Sequence, residues 1–127
     1  MHDRLMPRRS IGTTLLAIFV AVISAVHLLQ VFTGVAGDPR ALVLEHLIVA
    51  LLGFLAAWAI WTAKRWAHVA LAIAGVTVAA LIVSLGPLLQ MDAQERAGLW
   101  TGAATVFLMT LAGVWYVRRR VAPSPRA

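Results

Sequence analysis

The chain has 127 residues, 61% of them hydrophobic and 13% charged, with a formal net charge of +6 and a mean hydropathy of +0.87. A water-soluble domain of this length exposes too much surface to be covered by so few polar side chains, and the lack of cysteine excludes disulfides, thiolate-bound metals and thiol catalysis. The basic excess, which in a soluble protein would point to nucleic acid, flanks long apolar runs here, so no nucleic-acid partner is expected.

Four apolar runs fill most of the chain, at residues 11–32, 41–63, 66–89 and 97–117. Each is about long enough to cross a bilayer. In hydrocarbon every backbone polar group must be paired internally, which leaves helices or a closed barrel. The runs are long and do not alternate, so the expected fold is all-α: an integral-membrane, four-helix antiparallel bundle forming a single domain over 11–117.

Residues 1–10 form a charged leader that resembles the start of a signal peptide. The run that follows is longer than the roughly 7–15 residues of a signal core, so a retained first span is expected, with Ser10 as its cap. Asp38-Pro39 offers a capping carboxylate and a first-turn proline to the second span. The short Lys64-Arg65 link makes spans two and three antiparallel neighbours. Gly86-Pro87 is expected to end or bend the third helix early, leaving Leu88–Met91 along the interface. Asp92-Ala-Gln-Glu95 has the spacing of a capping box for the fourth helix. Residues 118–127 form a basic tail whose proline-containing end is expected to be disordered.

Charge sets the expected orientation. Arg4, Arg8, Arg9, Lys64, Arg65, Arg118, Arg119, Arg120 and Arg126 lie on one side of the spans, and only Arg40 and Arg96 on the other. By the positive-inside rule both termini are cytoplasmic, in the inner membrane of a bacterium. Trp61, Trp66, Trp115 and Tyr116 near one end, and Trp100 near the other, match the aromatic belts of membrane interfaces.

Lipid supplies no hydrophobic force between helices, so small residues that admit close backbone approach are expected at the contacts. The candidate inward stripes are Ala17, Ala21 and Ser24 in the first helix and Ala50, Gly53 and Ala57 in the second. In the third they are Ala72, Gly75 and Ala79, followed by Gly86. In the fourth, Gly98 and Gly102 form a GxxxG motif continuing to Thr105. This motif is expected to serve packing within the bundle, with a second copy as the alternative.

Polar groups inside a span are costly and therefore informative. His27, Glu45, His46, Ser84 and Thr101 each lie about five residues from the outer end of their helix. At 1.5 Å per residue they share a depth of roughly 7–8 Å. His46 falls on the small-residue stripe of its helix and is expected to face inward. His27 falls at a seam with the second helix, and Glu45 either reaches His27 or rises to the interface. One reading is that these groups hydrogen-bond between helices and fix register. The sharper readings are a proton or ligand site, including one for a quinone head, and haem or metal ligation by the two histidines.

The size and four spans invite comparison with small multidrug-resistance transporters, but those carry a glutamate in the middle of helix one, where this chain has the apolar Ile18–Ile23. The arginine-bearing motif of small fluoride channels is missing, and four-helix cytochromes with two haems need a second histidine pair. No catalytic constellation is recognisable. The expectation is a non-enzymatic accessory or interaction subunit without a cofactor, whose partners are the bilayer and other membrane subunits or a second copy. The alternatives are a proton-coupled carrier or quinone-binding protein, then a haem protein.

Overall fold

The computed structural model describes residues 10–33 and 40–121. They form four helices: α1 (Ile11–Thr33), α2 (Arg40–Trp61), α3 (Ala67–Leu88) and α4 (Ala93–Val121). Each is long and apolar enough to span a membrane.

The helix ends follow local chemistry. The Thr13 amide donates to the Ser10 hydroxyl at 3.2 Å, capping α1. Asp92 and Glu95 close a reciprocal capping box. The Glu95 amide donates to Asp92 Oδ1 at 2.8 Å, and the Asp92 amide to Glu95 Oε2 at 3.0 Å. Asp38-Pro39 and the ends of the chain lie outside the described residues.

The C-terminal ends of α2 and α3 are Schellman turns whose left-handed position is not a glycine. Ala63 and Gln90 hold positive φ values of 53° and 52°. At the first, Ala63 N–H bonds Ile60 O and Lys64 N–H bonds Ala59 O; at the second, Gln90 N–H bonds Pro87 O and Met91 N–H bonds Gly86 O. These are the paired bonds of that motif. Pro87 does not stop α3 where it stands; the helix continues to Leu88.

The bundle is packed inside out relative to a soluble protein. Its buried positions are dominated by alanine, among them Ala50, Ala56, Ala59 and Ala67, with Ile60, Val49 and Val117 as the largest fully buried apolar side chains. Phe19, Phe32, Leu108 and Trp100 are exposed. That distribution is the one expected where close backbone approach, and not exclusion of oil from water, joins the helices.

The helices pack in chain order, α1 on α2, α2 on α3 and α3 on α4, while α1 and α4 touch only marginally. At the end that carries Lys64, Arg65 and Arg118–Arg120, all four helices meet around Ala17, Ala59, Ile60, Ala67, Leu71 and Val117. Glycines permit three of the approaches. An added Cβ would overlap the Ser24 hydroxyl at Gly53, the Thr110 side chain at Gly75 and the Tyr116 hydroxyl at Gly12.

Two packing expectations need correction. Ala50, Gly53 and Ala57 are buried, but Ala72, Gly75 and Ala79 are only partly so. The buried residues of α3 are Ala67, Ala70, Leu71, Ala74, Leu81 and, as expected, Gly86, because α3 lies between two neighbours. Ala70 and Ala74 face Ala56 of α2, and Gly75 faces Thr110 of α4. The GxxxG of α4 is not a close-packed seam within the bundle. Gly98 is exposed, with nothing within 4 Å of an added Cβ, and Gly102 only approaches Ile82 at 3.8 Å.

Candidate functional site

Three helices contribute to the polar layer at the end opposite the arginine cluster. His27 of α1 and His46 of α2 meet edge to face, with ring centroids 5.3 Å apart and an interplanar angle of 74°. Both are partly buried. Glu45 turns away from His27 toward α3, where the Ser84 hydroxyl bonds its Oε2 at 2.8 Å and also contacts the Leu81 carbonyl at 2.8 Å. Glu45 and His46 are adjacent on α2, so about 100° of rotation sends one to each neighbour.

Thr101 does not join this layer. It is exposed, and its hydroxyl donates to the Ala97 carbonyl one turn back at 3.0 Å, the usual way for a helix hydroxyl to satisfy itself. The serine and threonine hydroxyls of Ser24, Thr77, Thr105 and Thr110 bond their own helices in the same manner. His68 lies near the arginine-rich end of α3, far along the helix from the layer.

Among the described residues, His27 Nδ1 and His46 Nδ1 are buried without a hydrogen-bond partner. A buried polar atom left unpaired costs about 1–3 kcal/mol, and such atoms are rare enough to require a reason. The two rings touch, so no porphyrin plane passes between them. Among the described residues no group of three or more histidines and carboxylates is arranged to hold a metal ion.

Beneath the histidine pair lies a cavity of about 350 Å³ lined by all four helices, a size within the range of ligand pockets. Its walls include Val20 and Ser24 of α1, Gly53 of α2, Val78 of α3 and Val106 and Thr110 of α4. They are almost wholly apolar, because the two hydroxyls are spent on Val20 and Val106 carbonyls. The cavity opens between α1 and α4, where its lining residues Phe19, Ile23 and Met109 are exposed. A shallower groove past Gly12, Leu15 and Tyr116 continues it toward the arginine-rich end. There Tyr116 Oη and Ser10 Oγ lie 3.1 Å apart, and Ser10 Oγ and Thr13 Oγ1 2.7 Å apart, tying α4 to α1.

Ser24 stands on the packing stripe expected for α1 and Tyr116 in an expected aromatic belt, but the facing of Ser24, Thr110 and Tyr116 onto glycines of neighbouring helices was not anticipated from the sequence. The available signal was the depth match of each hydroxyl to a glycine on the facing helix. No known protein family, curated protein or solved structure matches the chain.

Proposed function

We propose that this chain is a multi-pass protein of the bacterial cytoplasmic membrane, with both termini inside, that acts by binding a lipid-like molecule and not by catalysis. The observation that carries this reading is the apolar cavity open between α1 and α4. In a bilayer that opening faces the acyl chains, and a hydrocarbon tail is the occupant that matches its lining. The asymmetry of Lys and Arg supports the orientation, and the exposed large apolar side chains support contact with lipid over most of the surface. The haem alternative loses support from the direct contact of the two rings. A carrier role shares the cleft but requires a charged or polar path, which the lining does not offer.

Native mass spectrometry of the protein released from mild detergent tests the reading. The expected result is one retained amphiphile per chain in the wild type and its loss in Val106→Phe, which fills the cavity from α4. Equal retention by both proteins, or none by the wild type, would contradict it.

A further inference from the structure

A polar pair lies just beyond the cleft. His27 lies four residues beyond Ile23 and three beyond Ser24, both cavity-lining residues of α1. His46 lies three residues before Val49 and seven before Gly53, the lining residues of α2. Spacings of three, four and seven keep one helix face, so both histidines stand on the helix faces that line the cavity, one turn or about 5 Å beyond its lining residues and away from the arginine-rich end. They meet at the α1–α2 seam, and each has a buried Nδ1 without a partner among the described residues.

The geometry points to this pair as the head-group subsite of the cleft, for a long-chain quinone or quinol. The inference rests on the cleft reading above and adds the chemical class of the ligand. A neutral imidazole carries one nitrogen that donates and one that accepts. Two of them together can meet a carbonyl or a hydroxyl, which are the two forms of a quinone head. A phosphate head fits poorly. Among the described residues no Lys or Arg lines the cavity. Arg40 begins α2 six residues before His46, about 9 Å further along the helix, and Arg96 donates its Nε to the Met91 carbonyl at 2.8 Å. The charged side chain nearest in sequence to the pair is Glu45, an acid, already engaged with Ser84. The chain length of the ligand runs from the histidines toward the Tyr116 clasp, parallel to the helices. No electron transfer is part of the proposal.

The test compares decylubiquinone with decylbenzene, which shares its tail but has no oxygen, by competition in native mass spectrometry of the full chain in mild detergent. Wild type is expected to retain the quinone at least tenfold better. His27→Phe and His46→Phe keep a ring in each place and remove the nitrogens, and each is expected to bring the preference to within twofold. As a second readout needing no variant, decylubiquinone is expected to slow carbethoxylation of His27 and His46, but not of His68. Equal retention of the two probes by wild type, or a preference and histidine reactivity indifferent to these changes, would overturn the head-group assignment while leaving the cleft standing. Retention of neither probe would remove the cleft reading itself.

Discussion

The two ends of the bundle are held together differently. At the arginine-rich end four helices share one alanine-lined core, and the Ser10–Tyr116 contact joins the first helix to the last. At the opposite end the contacts are pairwise: His27 with His46 between α1 and α2, Glu45 with Ser84 between α2 and α3, and Gly86 against Arg96 between α3 and α4. A ring of helices closed at one end and paired at the other leaves a seam between α1 and α4. The cavity opens at that seam. Small residues thus do more than allow close packing here. Where they converge on one level they shut the bundle, and where they face a hydroxyl on only one neighbour they leave the remaining side open.

The largest expected effect separates glycines that face a neighbour from those that do not. Gly53→Leu drives a side chain into Ser24 and is expected to destabilise the bundle by about 3 kcal/mol or more. Gly98→Leu, in open space, should change stability by less than about 0.5 kcal/mol. Denaturation in mixed detergent reads both. Equal effects would mean that α1 and α2 are not in the close contact described.

At the clasp, Tyr116→Phe removes one hydroxyl contact and is expected to cost about 1 kcal/mol. Spin labels placed near the ends of α1 and α4 should report a broader distance distribution than in the parent. An unchanged distribution would show that the buried core alone closes that end. Ser84→Ala in the paired end removes the link to Glu45 and should cost a similar amount, about 1 kcal/mol. Its effect is expected to stay local, leaving the α1–α4 distance as it was.

The last effect has the opposite sign. Ala63 and Gln90 sit in the left-handed region, where a side chain costs roughly 1–2 kcal/mol relative to its normal conformation. Ala63→Gly is therefore expected to raise stability by up to about 1 kcal/mol. A loss of stability would contradict the turn geometry between α2 and α3.

How much of this was readable in advance depended on range. Ser10 and the Asp92–Glu95 box declare their helix starts within four residues, and both form as expected. The His27–His46 seam was also accessible, because α1 and α2 adjoin in sequence and helical rotation places both rings. The partner of Glu45 was not, since it depends on how α3 is turned about its axis. The one-stripe reading of α3 failed for a related reason: a helix between two neighbours packs with two faces, and spacing alone does not rank them. The cavity left no trace in the sequence. Val20, Val78 and Val106 have the same character as the exposed apolar residues, so an apolar wall inside the bundle and an apolar surface outside it read alike.

Labelling from the hydrocarbon tests the opening most directly. The protein would be reconstituted in vesicles containing a phospholipid with a diazirine in its acyl chain, irradiated, and mapped by peptide mass spectrometry. Ala74 is buried and Val78 and Val106 are partly so, yet all three line the cavity. They are expected to carry adducts alongside the outward-facing Leu55 and Leu108, and to lose them in Gly113→Phe, which places a ring where the cavity and its shallower groove meet. Adducts confined to the outward faces would mean that the seam between α1 and α4 is shut to lipid.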